Sequence, residues 1–245
     1  MSTTTDRTAD LQARLERVRH RMAAAAEGRG EAELIVVTKY FPASDVALLA
    51  GLGVRNVGEN KAQEAEAKAA ALAGSDLRWH FIGQLQTNKA KSVVRYASAV
   101  HSVDRLGLVA ALGKAVAAEN RRRTEAGDAQ RGPLDCFLQL DLRRGEDLDP
   151  GRGGARPAEM LELADAVAAD PGLSLSGLMA VAPLGEDPAA AFARLQDLSA
   201  ELTSRYPRAA GISAGMSRDL EAAMAHGATH LRIGSDVLGP RPAVG

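Results

Sequence analysis

The sequence is short of the residues and patterns that several large classes of protein require. Among its 245 residues there is one cysteine, Cys136, which excludes a disulfide framework or a cysteine metal cluster and implies a reducing compartment. The formal net charge of −1 provides no basic surface for nucleic acid or an anionic membrane. No stretch approaches the roughly 18 apolar residues of a membrane span, and the N-terminus lacks the apolar core of a signal peptide. We therefore expect a cytoplasmic protein with a small neutral or anionic ligand.

Lysine is also scarce, since six lysines stand against twenty-four arginines. One of them, Lys39, follows Thr38 at the end of the apolar run Leu34–Val37. Such a run predicts a buried strand of a parallel sheet, where a lysine must be neutralised, paired or used. The other lysines lie in polar or helical segments where a solvated ammonium group is expected; they are Lys61, Lys68, Lys89, Lys91 and Lys114. Lys39 is thus the first candidate for chemistry, unless it only marks the solvated end of its strand.

Short apolar runs alternate with alanine-rich helical patterns along the chain. The predicted strands are 34–38, 56–57, 78–82, 99–101, 134–140, 174–179, 210–213 and 230–233. The predicted helices are 44–51, 61–73, 88–96, 104–123, 157–170, 188–206 and 217–225. This alternation predicts an α/β fold, a single (β/α)8 TIM-type barrel, with a doubly wound open sheet as the alternative. We expect residues 1–8 to form a flexible tail and residues 9–245 one domain. A long loop is predicted over 143–156, and it is a flexible glycine loop, an anion-binding loop or a lid.

Two loops of small and hydroxyl-bearing residues follow the last two predicted strands. Ser213-Ala214-Gly215-Met216-Ser217 comes after the seventh strand, and Gly234-Ser235 comes after the eighth. In a barrel of this type, ligands bind where strands end, and phosphate is often held after strands seven and eight. A helix begins directly after each loop, so free N–H groups and the positive end of a helix dipole would face the mouth. A lysine opposite such loops is the arrangement that pyridoxal 5′-phosphate needs, because its aldehyde forms a Schiff base with lysine.

Strand alternation predicts which side chains face the mouth. Lys39 is expected to point into the barrel and Tyr40 away from it. Glu59 and Asn60 also alternate, so one faces the mouth and the other the helices; Asn60 is preferred at the mouth because an amide adds no charge. His80 is predicted either to be a hydrogen-bonded histidine of the barrel interior or to make a polar contact near the ligand.

Six motifs occur in a fixed order along the chain. They are Val36–Tyr40, Val57–Glu64, Trp79–Lys89, Gly177–Ala180, Gly215–Ser217 and Arg232–Ser235. Together they resemble the pyridoxal phosphate homeostasis proteins, whose fold is related to the N-terminal barrel domain of alanine racemase. The resemblance runs from about residue 10 to the C-terminus.

The resemblance implies which residues bind the cofactor. Lys39 would form the Schiff base, Asn60 would line the ring, and Arg232 would approach the pyridine nitrogen. Ser213, Gly234 and Ser235 would hold the phosphate, and Met216 would pack near the ring. Gly215 is also implied to contact the cofactor. No departure from the family's pattern removes a group that binding needs.

The resemblance further implies a protein that binds pyridoxal phosphate and helps to control its level without strong catalysis. Such a protein would not be an enzyme; we expect it to be a monomer that contacts apo pyridoxal enzymes transiently. The alternative is a pyridoxal-phosphate-dependent racemase or decarboxylase. Racemisation needs acid and base groups on both faces of the substrate, and Lys39 serves only one. Tyr96 and Tyr206 fall in predicted helices, so neither is an obvious replacement for the second-domain tyrosine of alanine racemase. A purely structural module would leave Lys39 and the loops unexplained.

Overall fold

The computed structural model describes residues 4–26, 28, 30–143 and 153–241. Within these ranges, eight parallel strands close into a barrel in which each strand pairs with the next and β8 pairs with β1. The strands are β1 Glu33–Val37, β2 Asn56–Glu59, β3 Arg78–Phe81, β4 Ala97–Val103, β5 Leu134–Gln139, β6 Leu173–Met179, β7 Gly211–Ser213 and β8 His230–Ile233. The predicted closed barrel is confirmed, and the open sheet is wrong.

Helices surround the barrel. They are α1 Thr4–Ala25, α2 Ala43–Gly51, α3 Ala62–Ala71, α4 Ala90–Tyr96, α5 Leu106–Glu125, α6 Met160–Ala168, α7 Pro188–Arg205, α8 Leu220–Ala225 and α9 Ser235–Leu238. Short 3-10 turns at Thr87–Lys89 and Pro157–Glu159 precede α4 and α6. None of the described helices combines the length and apolar character that crossing a bilayer requires. Most of the predicted loop 143–156 lies outside the described residues.

Helix α1 lies where the sequence pattern predicts no helix. Residues 4–8, predicted to be part of a flexible tail, form its first turns. Arg7 donates to Asp45 Oδ2 at 2.6 Å and to the Leu238 carbonyl at 3.1 Å, which ties α1 to α2 and α9. The apolar stripe of α1 is narrow, and its buried members are Leu11, Leu15, Val18 and Met22. One apolar side chain per turn in a charged segment is a weak signal of a helix.

Strands β6 and β7 approach each other closely at two glycines. Gly177 has a φ of 146°, and a Cβ atom built on it would lie 1.8 Å from the Gly211 carbonyl oxygen. A Cβ on Gly211 would lie 2.7 Å from Cε1 of Phe137. Only glycine fits at both positions, because any side chain would collide with backbone or with the aromatic ring inside the barrel.

The barrel interior is filled by side chains. The Phe137 ring stacks on the His101 ring, with their centroids 4.3 Å apart. His80 is buried, and both of its ring nitrogens are hydrogen-bonded. The position in the barrel interior predicted for His80 is therefore confirmed.

A buried ion pair joins the ends of β1 and β2 to α3. The Lys68 ammonium donates to Glu59 Oε1 and Glu64 Oε1, each at 2.7 Å, and to the Thr38 carbonyl at 2.9 Å. The Thr38 hydroxyl also donates to Glu59 Oε1, at 2.6 Å. Burial raises the pKa of Glu59, and the bonds from Lys68 and Thr38 oppose that shift. The expectation that Lys68 is a solvated lysine is thus wrong, because helix periodicity does not reveal which lysine faces a buried carboxylate.

We expect Lys68→Met to lower the free energy of unfolding by about 3 to 5 kcal/mol, because it leaves Glu59 buried without its cation. The loss should be larger at about pH 8 than at about pH 5, since a proton bound by Glu59 at the lower pH removes the unpaired charge. Urea unfolding at both pH values measures the two effects.

The matched control is Lys114→Met, which removes an exposed lysine of α5. It should change the free energy of unfolding by less than about 0.5 kcal/mol, as surface substitutions usually do. An equally small change in Lys68→Met would contradict the structural role of the buried pair.

Candidate functional site

A cavity of 790 Å³ opens at the C-terminal ends of the strands. Its wall takes residues from the segments that follow β1, β3, β5, β6, β7 and β8, so it occupies the face where ligands bind in this fold. The predicted site residues that line it are Lys39, Met216, Arg232, Gly234 and Ser235. Asn60, Ser213 and Gly215 are not among the lining residues.

Lys39 reaches the cavity from the end of β1. Its ammonium group makes no hydrogen bond or ion pair with any part of the chain that the structure describes. The backbone on either side of it is held, because Lys68 donates to the Thr38 carbonyl and Glu64 Oε1 accepts from the Tyr40 N–H at 2.8 Å. The buried ion pair therefore fixes the position of Lys39 and leaves its amine available.

Tyr40 lines the same cavity, so the expectation that it points away is wrong. Strand β1 ends at Val37, and Tyr40 has a left-handed φ of 73°, so strand alternation does not extend to it. Lys39 Nζ, Lys61 Nζ and Arg241 Cζ lie 5.9, 5.5 and 4.8 Å from the centroid of its ring. Three cations around one ring give this part of the rim a positive potential, which suits an anionic ligand.

Arg232 is the buried cation of the cavity wall, and it is 5% exposed. Its guanidinium donates to Ser213 Oγ at 2.7 Å and to the Ala180 carbonyl at 2.9 Å. Burial lowers the pKa of Arg232 to about 10, so the group is charged at neutral pH.

Ser213, which is predicted to hold the phosphate, lies inside the barrel. Its side chain is fully buried, and its hydroxyl accepts from Arg232 and lies 2.8 Å from His101 Nδ1. The hydroxyl therefore has two partners inside the barrel, and Ser213 does not line the cavity. Sequence spacing alone does not show whether Ser213, at the end of β7, or Ser217, in the loop after it, lines the cavity.

Two other hydroxyls meet where the loops after β7 and β8 converge. Ser217 Oγ and Ser235 Oγ lie 3.3 Å apart, and both residues line the cavity. Arg21 of α1 holds the two loops together by donating to the Ser217 carbonyl at 3.0 Å and to Asp236 Oδ2 at 2.7 Å. The two hydroxyls can donate hydrogen bonds into the cavity, and the sequence motifs do not single out Ser217 for such a role.

Gly215, Met216 and Asn60 are the other predicted site residues. Gly215 has a φ of 89°, and a Cβ on it would lie 2.7 Å from Leu231 Cδ2, so it shapes its loop. The Gly215 carbonyl accepts from the Arg232 N–H at 3.0 Å. Met216 is 40% exposed. Asn60 follows β2, and its buried Oδ1 has no hydrogen-bond partner within the described ranges, whereas Glu59 points to α3.

Comparison with known proteins agrees with this architecture. Residues 10–242 match the family described as alanine racemase, N-terminal domain. The pyridoxal phosphate homeostasis protein of Mycobacterium tuberculosis is 44% identical over 255 residues, covering 96% of this chain and 95% of that protein. The protein of that name from Pseudomonas aeruginosa is 39% identical, covering 98% of this chain and 97% of its own.

A solved structure extends the comparison to three dimensions. PipY of Synechococcus elongatus PCC7942, with PLP bound, has a TM-score of 0.76 and 31% sequence identity, covering 94% of this chain and 100% of PipY. The resemblance drawn from the six motifs is confirmed. The chain belongs to the pyridoxal phosphate homeostasis protein family, and its barrel belongs to the alanine racemase N-terminal domain family.

Proposed function

We propose that this protein binds pyridoxal 5′-phosphate at the barrel mouth and acts in homeostasis of that cofactor, holding it on Lys39 without strong catalysis. The observation that carries the proposal is that the Lys39 amine, the Arg232 guanidinium and the paired hydroxyls of Ser217 and Ser235 line one cavity. The names of the relatives, and the PLP bound to PipY, support the choice of ligand.

The residues present fit the functional groups of this cofactor. When bound, it supplies an aldehyde that links to amines and a ring that withdraws electrons. Lys39 provides an amine without a partner among the described residues. Ser217 and Ser235 provide hydroxyl donors for a phosphate, and Asn60 provides a buried amide oxygen with no partner in the described structure.

Arg232 limits the chemistry that this site can support. A guanidinium group only donates hydrogen bonds, and Arg232 keeps its charge at neutral pH because its pKa is about 10. It therefore offers a donor to a ring nitrogen but no proton. Without that proton, electron withdrawal by the ring is weaker, which disfavours carbanion chemistry.

The racemase alternative needs a second acid or base. Tyr96 is the last residue of α4, and Tyr206 is bonded to Asp165, so neither lies at the cavity. Tyr40 does line the cavity, but it directly follows Lys39 in the turn after β1. This arrangement favours a protein that holds the cofactor over one that racemises amino acids.

We further propose that the protein acts as a monomer and passes the cofactor to apo pyridoxal enzymes by transient contact at the mouth. Val181, Leu184 and Met216 line the cavity, and their side chains are 47%, 81% and 40% exposed. Exposed apolar side chains at an opening provide a surface for such contacts.

Borohydride treatment of the protein mixed with pyridoxal phosphate should fix the label on Lys39, because this amine is unpaired and faces the cavity. Peptide mapping identifies the labelled residue. Lys39→Ala should lose the label and the visible absorption of the linked cofactor, yet it should unfold cooperatively. Lys61→Ala is the control, since Lys61 lies beside the same Tyr40 ring and should not be needed. A label that persists in Lys39→Ala would overturn the assignment.

Ser217→Ala and Ser235→Ala should each weaken binding of pyridoxal phosphate roughly ten- to hundredfold, the equivalent of about 1.4 to 2.8 kcal/mol, which is typical of a hydrogen bond to a charged group. Pyridoxal lacks the phosphate, so its affinity should change little. Absorbance titrations with both ligands measure the difference. Ser204→Ala, which removes a hydroxyl of α7 bonded to the Glu201 carbonyl, is the control. Equal losses for both ligands would refute this phosphate position.

Amino acids added to the loaded protein in deuterated water should exchange their α-protons very slowly, because Arg232 provides no proton to the ring nitrogen and electron withdrawal by the ring is weaker without it. Proton NMR of the amino acid measures the exchange. Rates on the order of 1 s⁻¹ or faster, lost in Lys39→Ala or in Tyr40→Phe, would restore the racemase alternative.

A further inference from the structure

A continuous chain of hydrogen bonds runs through the barrel interior from Arg232. Arg232 Nη1 lies 2.7 Å from Ser213 Oγ, which lies 2.8 Å from His101 Nδ1. His101 Nε2 lies 2.9 Å from His80 Nδ1. His80 Nε2 lies 3.0 Å from Asn56 Oδ1, near the start of β2. We call this series the interior chain.

The residues at the two ends of the interior chain determine which atom donates and which accepts in each of its hydrogen bonds. Arg232 can only donate, so Ser213 Oγ must accept from it. At the other end, Asn56 Nδ2 donates to Glu33 Oε2 at 3.2 Å, so Asn56 Oδ1 is the atom that accepts from His80 Nε2. One pattern of donors and acceptors satisfies both ends.

The two histidines keep the same order of donors and acceptors along the interior chain, because both rings are neutral. Burial lowers the pKa of His80 to about 3 and that of His101 well below its ordinary value. A neutral imidazole has one donor and one acceptor nitrogen. His80 donates from Nε2 and so accepts at Nδ1 from His101 Nε2–H. His101 Nδ1 is therefore an acceptor, and it takes the Ser213 hydroxyl proton.

His101 is held rigidly in this role and has no access to the ligand. It is fully buried, its ring is within 13° of parallel with that of Phe137, and it does not line the cavity. With its proton directed at His101, the Ser213 hydroxyl presents a lone pair to Arg232. The Ala180 carbonyl fixes a second donor of Arg232. The remaining N–H groups of the guanidinium are left for the cavity.

We propose that His101 is a positioning residue that, through Ser213, holds the Arg232 guanidinium in the orientation that recognises the cofactor's ring nitrogen. This inference rests on the proposed function. It also assigns Ser213 to the recognition of the ring and not to the phosphate.

The test compares pyridoxal phosphate with its 1-deaza analogue, in which CH replaces the ring nitrogen. Both ligands carry the aldehyde and the phosphate, so the ratio of their dissociation constants isolates the ring nitrogen. The unmodified protein should prefer pyridoxal phosphate by about tenfold, as for one hydrogen bond to a charged group. His101→Leu should reduce this preference to about twofold or less, with little change for the analogue. His101→Asn should retain most of the preference, because its Oδ1 can accept the Ser213 proton.

Two further variants separate this role from the alternatives. Ser213→Ala should also reduce the preference; if Ser213 held the phosphate, both ligands would lose affinity equally and the ratio would stay constant. His230→Leu is the control, because His230 packs 6.1 Å from the His101 ring centroid but contacts Thr229 and lies outside the interior chain. The ratio of the dissociation constants for the two ligands should be the same in His230→Leu as in the unmodified protein.

The outcomes distinguish failure of this inference from failure of the proposed function. If the unmodified protein binds neither ligand, the proposed function fails. If it binds pyridoxal phosphate but shows no preference over the analogue, or if His101→Leu keeps the full preference, the positioning role is overturned. Nitrogen-15 NMR of the ligand-free protein gives an independent check should His101→Leu not fold. His101 should carry its proton on Nε2, and a proton on Nδ1 would overturn the inference.

Discussion

The geometry of the barrel mouth depends on the buried ammonium group of Lys68 and its three oxygen acceptors. Removing two charges from water is costly, and an apolar replacement of a buried ion pair is often as stable, so added stability is a weak reason for this pair. Its specific effect is on the backbone, since it holds the Thr38 carbonyl directly and the Tyr40 N–H through Glu64. Lys39 is the residue between these two anchors.

A second constraint acts from the first helix of the chain. Arg21 on α1 bonds to Glu221 through both carboxylate oxygens and also contacts the Ser217 carbonyl and Asp236. The loops that bring Ser217 and Ser235 together are thus fixed by a residue distant in sequence. The phosphate-binding hydroxyls proposed above depend on α1 as well as on their own strands.

The sequence predicts the barrel well because both faces of each strand are covered, which makes the strands apolar runs between helical patterns. The sequence also predicts that Lys39 and Arg232, at or near strand ends, lie at the barrel mouth, and both line the cavity. It does not predict contacts with residues distant in sequence. Glu59 pairs with the buried Lys68, and His101 contacts the Ser213 hydroxyl. The left-handed φ of Tyr40 also ends the strand alternation. Sequence spacing contains no information about these contacts.

The unpartnered amine of Lys39 has a consequence for how this protein can change over time. The residues that place the amine, Lys68 and Glu59, lie outside the cavity wall, while Lys39 makes no bond that the described barrel needs. The side chain proposed to hold the cofactor is therefore different from the side chains that hold the scaffold. Replacement of the Lys39 amine would leave the fold intact, so a barrel of this type can remain a binding protein without the covalent link proposed for Lys39.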